Sequence, residues 1–178
     1  WSTTKTMAAL CALVLSDRGL LDLQAPVAKY WPEFARNGKE RVLVSHCLAH
    51  SAGLSGLDDI ISNETLYDWD AMCRLLAEQA PWWPPGSASG YHAITQGHLI
   101  GEVVRRITGR TLGQFFAQDI AEPLNADFHI GTPEHVFDRI ATLSPPGAEG
   151  LPADLDEDSV AARAFRSPAP VAETAMTK

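Results

Sequence analysis

The first residues of the chain place a serine and a lysine at a spacing that suits nucleophilic chemistry. Ser2 and Lys5 are three residues apart at the start of the segment WSTTKTMAALCALVL, whose apolar positions follow a helical period. Side chains at this spacing share one helix face, so the lysine amine can take the serine proton. A helix N-terminus also directs backbone N–H groups at a developing oxyanion. The same pattern fits an ordinary exposed helix start, so it does not identify a site by itself.

A tyrosine near the middle of the chain is the second candidate. Tyr91 follows the turn-rich stretch PWWPPGSASG and precedes a long segment with helical periodicity. The glycines and serines allow the backbone to bend sharply there, so the phenol can reach another helix start. The alternative is a half-buried tyrosine that packs at a helix entrance.

Two other near-matches to catalytic motifs fail at a defining position. The stretch GSASG at 86–90 has Ala88 where the GxSxG elbow of hydrolases needs serine. His46 and His50 are four residues apart, but Cys47 stands where an HExxH zinc motif needs glutamate. We therefore favour structural roles for both histidines, and we predict that the protein needs neither a metal nor a cofactor.

The elements that must position these side chains are predicted to be mostly helical. A first helix is predicted at 3–18, and helical sequence extends over about 45–140 with one short strand, DFHIG, at 127–131. The predicted N-caps and helix ends are Ser45, Asp68 or Asp70, Gly109 and Thr111. A long helix is predicted to begin directly after Tyr91. From 143 to 178 the Pro-rich, acidic sequence predicts a loop or lid.

Composition limits the classes of partner and the compartment. The 178-residue chain has a formal net charge of −8, which argues against nucleic acid or an anionic membrane as partner. The longest apolar run, Met7–Leu15, is too short to span a bilayer. Three cysteines without a CxxC pair predict free buried thiols and favour a cytoplasmic location. Because the chain does not begin with Met, we expect missing N-terminal sequence, which leaves a periplasmic or secreted location open.

Three blocks of sequence together resemble the serine β-lactamase-like superfamily. This superfamily includes class C β-lactamases, penicillin-binding DD-peptidases and family VIII carboxylesterases. The first block is WSTTK with the helix that follows it, the second is VLVSHCLAHSAGLSGLD, and the third begins at PPGSASGYHAITQGHLIG. Their order and spacing agree with the superfamily over residues 1 to about 140. The joint match is far more specific than the spacing of Ser2 and Lys5 alone.

The resemblance implies a fold and a set of roles. The fold would be α/β, an antiparallel sheet flanked by helices plus a helical subdomain. Residues 1–178 would form a partial domain, mainly the helical part, truncated at both ends. Ser2 would be the acylated nucleophile, Lys5 would accept or share its proton, and Tyr91 would pass a proton to the leaving group. The backbone N–H of Ser2 would be one oxyanion donor.

Two departures from the superfamily pattern affect the expected substrate. β-Lactamases usually have Tyr-x-Asn at the tyrosine motif, whereas this chain has Tyr91-His92-Ala93, and Ala93 has no side-chain amide to bind a substrate amide. The Gly-containing third motif, which supplies a second oxyanion donor, is absent from the chain. The first departure favours a carboxylesterase of the family VIII type, and the second predicts that this segment alone turns over substrate poorly.

Three hypotheses remain open at the level of sequence. The leading one is a serine hydrolase that cleaves short-chain carboxylic esters through an acyl-enzyme on Ser2. The second is a β-lactamase or DD-peptidase on the same scaffold, and the third is a non-catalytic module or an inactive fragment. The partner would be a small-molecule ester or β-lactam. The oligomeric state is not indicated. Four further residues are predicted to contact substrate: Trp1, Trp82, Trp83 and His92. The alternative for the tryptophans is ordinary packing.

Overall fold

The computed structural model describes residues 2–141, 156 and 158–167. The α-helices are α1 (Thr3–Asp17), α2 (Val44–Leu48), α3 (Asn63–Tyr67), α4 (Trp69–Glu78), α5 (Thr95–Thr108), α6 (Leu112–Phe116) and α7 (Val160–Arg166). Short 3-10 helices span Val27–Lys29, Pro32–Ala35 and Glu134–Arg139, and a π-helical turn, Ala117–Ala121, continues α6. In these ranges there is no strand. Pro26 and Leu43 form an isolated antiparallel bridge. The sheet that the resemblance implies therefore stays a prediction.

Helix α1 packs into the core through one apolar side. Its buried side is small and apolar, with Ala8, Cys11, Ala12 and Leu15 less than 5% exposed. Small side chains let neighbouring helices approach closely, and α1 packs against both α5 and α6. Burying this face removes apolar surface from water, which fixes α1 and the two candidate residues at its N-terminal end.

Local hydrogen bonding sets the ends of the helices around the site. Asp68 caps α4 by accepting a hydrogen bond from the Ala71 backbone N–H (2.9 Å), as predicted. Thr111 and Gln114 cap α6 reciprocally, which confirms the predicted cap at Thr111. Gly109 ends α5 with a φ of 71°, a left-handed conformation that glycine adopts without steric cost.

The predicted starts of two helices are wrong. Helix α2 begins at Val44, with Leu43 rather than Ser45 at the N-cap, because His46 Nδ1 accepts the Leu43 N–H (3.2 Å). Helix α5 begins at Thr95, not directly after Tyr91. The backbone before α5 is engaged elsewhere, since the Ala93 carbonyl accepts a hydrogen bond from a side chain of α1.

Two predicted non-helical segments also differ. Residues 127–131 form no strand, because they pack against α6. The Ile130 carbonyl oxygen approaches Gly113 so closely that a Cβ on this glycine would lie only 2.1 Å from it. The segment predicted as a loop at 143–178 contains α7, whose N-cap Ser159 accepts from the Ala162 N–H (3.1 Å). The rest of that prediction lies mostly outside the described residues.

Candidate active site

Ser2 occupies the N-cap of α1, but its side chain does not cap the helix. A serine at this position usually accepts a hydrogen bond from an N–H of the first turn, and here no such bond forms. Its hydroxyl instead forms a short hydrogen bond with the hydroxyl of Tyr91, 89 residues away in sequence. Both side chains are solvent-accessible, and Tyr91 is 43% exposed. The pair is thus open to a substrate.

Lys5 joins this pair from one turn further along α1. Its Nζ donates a hydrogen bond to the Ala93 carbonyl (2.6 Å) and lies 5.1 Å from the centre of the Tyr91 ring. The structure therefore brings the three predicted catalytic residues, Ser2, Lys5 and Tyr91, into one cluster. The hydrogen bond to the Ala93 carbonyl holds the lysine amine beside the Tyr91 ring.

A tightly packed loop before Tyr91 positions this residue next to Ser2. A Cβ on Gly90 would lie 2.5 Å from Cη2 of Trp83, so only glycine allows the backbone to lie against that indole. Trp83 Nε1 donates to the Ala88 carbonyl (3.0 Å), and Ser55 Oγ donates to the Gly90 carbonyl (2.7 Å). These contacts fix the residues immediately before the tyrosine.

His92 does not face the cleft, contrary to the prediction. It is 0% exposed, and its Nε2 accepts the backbone N–H of Leu54 (3.2 Å) while Nδ1 lies 2.6 Å from the Gly90 carbonyl. These partners require a proton on Nδ1 and none on Nε2. Burial lowers the pKa of His92 to about 4, although its hydrogen bond with the Gly90 carbonyl acts in the opposite direction. His92 therefore stays neutral near pH 7 and links the Gly90 backbone, just before Tyr91, to the Leu54 backbone.

His50 supports the tyrosine from the opposite side. Its Nδ1 accepts the backbone N–H of His92 (3.1 Å), its carbonyl accepts the Gly90 N–H (3.0 Å), and its ring centre lies 4.8 Å from that of Tyr91. Burial, together with the Lys5 charge, lowers the pKa of His50 and favours its neutral form. His50 thus positions Tyr91, and that role was not evident in the sequence.

The tryptophans predicted to contact substrate lie elsewhere. Trp82 donates from Nε1 to Asp58 (2.8 Å) and is stacked by the Arg163 guanidinium, 4.1 Å from its ring centre. Trp83 packs under Gly90, as described above. Neither lines the cavity that contains Ser2. The structure therefore brings neither tryptophan into this cavity: the Trp83 indole supports the loop before Tyr91, and the Trp82 indole contacts Asp58 and Arg163. Trp1 lies outside the described residues.

A cavity of about 540 Å³ opens beside Ser2, Lys5 and Tyr91. This volume is within the range of small-molecule sites. Apolar side chains form much of its wall: Ala8, Trp69, Ile94, Leu112, Ile130 and Phe165. The tryptophan that the sequence analysis missed is Trp69. Nothing in the local pattern distinguishes it from the other four, since only the tertiary fold brings α4 to Ser2.

A buried carboxylate holds Trp69 in place. Glu102 is 0% exposed and accepts hydrogen bonds from Trp69 Nε1 (2.8 Å), Arg105 Nε (2.7 Å) and Arg106 Nε (2.7 Å). Burial alone would raise the pKa of Glu102, but the hydrogen bonds from the two arginines and the indole outweigh it and lower the pKa to about 2. Glu102 is therefore ionised near pH 7 and links α5 to the cavity wall.

Replacing this carboxylate is expected to cost stability in a pH-dependent way. Glu102→Gln in the complete protein should lower the free energy of unfolding by about 2 kcal/mol at pH 7, because the hydrogen bonds to a charged group are lost. The pKa is lower in the folded state (about 2) than its ordinary value of 4.5. The stabilisation is thus present above pH 4.5 and lost as the pH falls towards 2. Urea unfolding followed by circular dichroism measures it.

The matched control is Glu78→Gln, which breaks an exposed ion pair with Arg36. Exposed pairs contribute little, so this variant should change the free energy of unfolding by less than about 0.5 kcal/mol. Equal costs for the two variants, or a difference that stays constant from pH 7 to pH 2.5, would contradict a structural role for the Glu102 carboxylate.

The part of the chain that the structure describes contains no group of three or more His, Cys, Asp or Glu side chains able to hold a metal ion. Cys11, Cys47 and Cys73 are buried and free, and burial raises the pKa of the Cys47 thiol to about 12. Among these same described residues, no helix has the length and apolar character needed to cross a membrane.

The amino-acid sequence matches one protein family over nearly its whole length. Residues 1–175 match the sequence profile of the Beta-lactamase family. The chain belongs to the beta-lactamase family. Esterase/beta-lactamase LipL of Mycobacterium tuberculosis is 42% identical over 134 residues, which are 75% of this chain and 31% of that protein.

Two solved structures of related proteins share the fold of this beta-lactamase-family chain. A penicillin-binding protein homolog from Caulobacter crescentus superposes with a TM-score of 0.80 at 49% identity, over 83% of this chain and 40% of that one. A family VIII carboxylesterase superposes with a TM-score of 0.79 at 48% identity, over 82% and 40% respectively. The chain therefore has the β-lactamase/transpeptidase-like fold, and it spans less than half the length of these relatives.

Proposed function

We propose that the complete protein is a serine hydrolase that cleaves short-chain carboxylic esters through an acyl-enzyme on Ser2. The observation that carries the proposal is the hydrogen bond between the Ser2 and Tyr91 hydroxyls, with Lys5 Nζ held beside the same ring. A serine that does not cap its helix is available as a nucleophile. The name of LipL and that of the family VIII carboxylesterase support ester hydrolysis as the reaction class.

Acylation would begin with removal of the Ser2 hydroxyl proton. The proton passes to the amine of Lys5, directly or through the Tyr91 hydroxyl, while Oγ attacks the ester carbonyl carbon. The carbonyl π electrons move to oxygen and form an oxyanion. The backbone N–H of Ser2, at the N-terminus of α1, would be one donor that stabilises that charge.

The oxyanion then collapses and the alkoxide leaves. The leaving oxygen takes a proton through Tyr91, and the acyl group stays on Ser2 Oγ as an ester. In the second half, a water molecule gives up a proton to the same Lys5–Tyr91 pair and attacks the acyl carbon. Ser2 Oγ regains its proton, and the carboxylic acid is released.

Ala93 is the reason to prefer esters over amides. Its carbonyl is used by Lys5, and its side chain lines the cavity without a polar group. A site that lacks a hydrogen-bonding partner for a substrate amide leaves that amide unsatisfied when it is buried, which costs free energy. An ester has no N–H to satisfy, so the same site accepts it without this cost.

A comparison of two chromogenic substrates tests the proposal. The complete protein should hydrolyse p-nitrophenyl acetate with a kcat/KM at least about 10-fold above that for a chromogenic cephalosporin. Both reactions are followed by absorbance under the same conditions, with heat-denatured protein as the blank. Faster acylation by the cephalosporin would reverse the order of the hypotheses, and no turnover of either substrate would favour a non-catalytic module.

The second candidate function is hydrolysis of β-lactams or of peptidoglycan peptides. The names of LipL and of the penicillin-binding protein homolog, each more than 40% identical to this chain, favour keeping it. It uses the same nucleophile and base, so the substrate comparison alone separates it from the esterase.

A further inference from the structure

Helix α5 carries two glycines one turn apart, Gly97 and Gly101, and the fold uses them differently. A Cβ on Gly101 would lie 2.5 Å from Cη2 of Trp69, so this glycine is needed to seat the indole. A Cβ on Gly97 would have no described atom within 4 Å outside its own helix and chain neighbours. Packing of the described residues therefore explains Gly101 and does not explain Gly97.

Glycine at position 97 lowers the stability of helix α5. Inside a helix, glycine is about 1 kcal/mol less favourable than alanine because it loses more backbone entropy on folding. The backbone at Gly97 is ordinary α-helix, so a side chain would cause no strain. Gly97 also lines the cavity that contains Ser2 and Tyr91. What glycine provides at this position is free volume beside the nucleophile.

Trp69, which forms the neighbouring wall of the cavity, is held in place and does not move aside to enlarge it. Trp69 is held by the hydrogen bond from Nε1 to Glu102 (2.8 Å), by its contact with Gly101, and by the His98 ring, whose centre lies 5.0 Å from its own. A large ring fixed on three sides stays in place when a ligand binds. The free space at Gly97 therefore sets how much of a ligand fits between α1 and α5.

We propose that Gly97 determines the largest apolar group of the ester that is accepted beside Ser2. The inference rests on the proposed function and extends it to the substrate class. The apolar wall formed by residues such as Leu112, Ile130 and Phe165 fits a hydrocarbon group larger than methyl. That group can belong to the acyl half or to the alcohol half of the ester.

Three simple esters test this in the complete protein. Methyl acetate is the reference, methyl hexanoate enlarges the acyl half, and hexyl acetate enlarges the alcohol half, with the released acid titrated at constant pH. In the wild-type protein, kcat/KM for methyl hexanoate or for hexyl acetate should be at least equal to kcat/KM for methyl acetate. In Gly97→Leu, kcat/KM for that ester should fall at least about 10-fold relative to methyl acetate, because its hydrocarbon group no longer fits. The ester that is affected identifies which half occupies the space.

A second variant and a control keep the test decisive if Gly97→Leu does not fold. Gly97→Ala should shift the same ratio in the same direction by a smaller factor and raise the melting temperature, since alanine favours the helix. Arg74→Leu adds an apolar side chain at an exposed position of α4 outside this cavity and should leave the ratio unchanged.

Two failures are distinguishable by covalent labelling with a small fluorophosphonate. Unchanged ratios in both Gly97 variants, with Ser2 still labelled, would overturn the role of Gly97 and leave the proposed function intact. The same conclusion follows if wild type labels at Ser2 but hydrolyses neither larger ester. If Ser2 in wild type is not labelled and no ester is cleaved, the proposed function itself fails.

Discussion

Replacing Ser2 by Ala in the complete protein is expected to lower kcat for p-nitrophenyl acetate by at least about 10⁴-fold. The acyl-enzyme needs a hydroxyl at the N-terminus of α1, and removing a nucleophile that acts with a base as one unit eliminates most of the rate enhancement. Labelling by a fluorophosphonate should disappear in parallel. Mass spectrometry of the wild-type protein should locate the label on the peptide that contains Ser2.

The neighbouring hydroxyl provides a matched control. Thr3 is exposed, lies in the first turn of the same helix and does not line the cavity. Thr3→Ala should retain kcat within about 3-fold, since no proposed step uses its hydroxyl. Full esterase activity in Ser2→Ala would refute Ser2 as the nucleophile. Equal losses in both variants would indicate a disturbed helix start.

Replacing Lys5 by Ala is expected to lower kcat by about 10²–10⁴-fold, the usual contribution of a general base. The variant Lys5→Arg distinguishes a role of Lys5 as proton acceptor from a role of its positive charge. Arginine keeps the positive charge and a hydrogen-bond donor for the Ala93 carbonyl, but it stays protonated and cannot accept a proton. The arginine variant should therefore be nearly as inactive as the alanine variant. Initial rates with p-nitrophenyl acetate measure both.

Lys29→Ala, an exposed lysine remote from the cavity, controls for the loss of a positive charge and should be close to wild type. A Lys5→Arg variant that retains most of the wild-type kcat would show that Lys5 acts through its charge. Near-wild-type kcat in Lys5→Ala would exclude any catalytic role for this amine.

Features that depend on neighbouring residues could be predicted from the sequence. The caps at Asp68 and Thr111 and the end of α5 at Gly109 follow from local hydrogen bonding and backbone preference. The proximity of Ser2 and Tyr91 is different, because no local pattern determines a contact across 89 residues. It could be anticipated only because three blocks together resembled one superfamily.

The incorrect prediction for His92 has a physical cause. His92 was assigned to the cleft because it adjoins Tyr91, but adjacent side chains outside a helix leave the backbone in different directions. With Tyr91 exposed to the cleft, His92 points into the core and is fully buried. Trp82 and Trp83 are predicted to contact substrate because they flank the block that carries Tyr91. Trp69 was missed because its place in the cavity depends on how α4 and α5 pack, which no single segment encodes.

The hydrogen bond from Lys5 to the Ala93 carbonyl has a consequence for how such a site can diversify. The acceptor is a main-chain atom, which every amino acid at position 93 would supply. The side chain at that position can therefore change without loss of the contact that anchors the lysine. The side chain presented at position 93 and the placement of the Lys5 amine are thereby separable, so the residue at 93 can change during evolution while the lysine keeps its position.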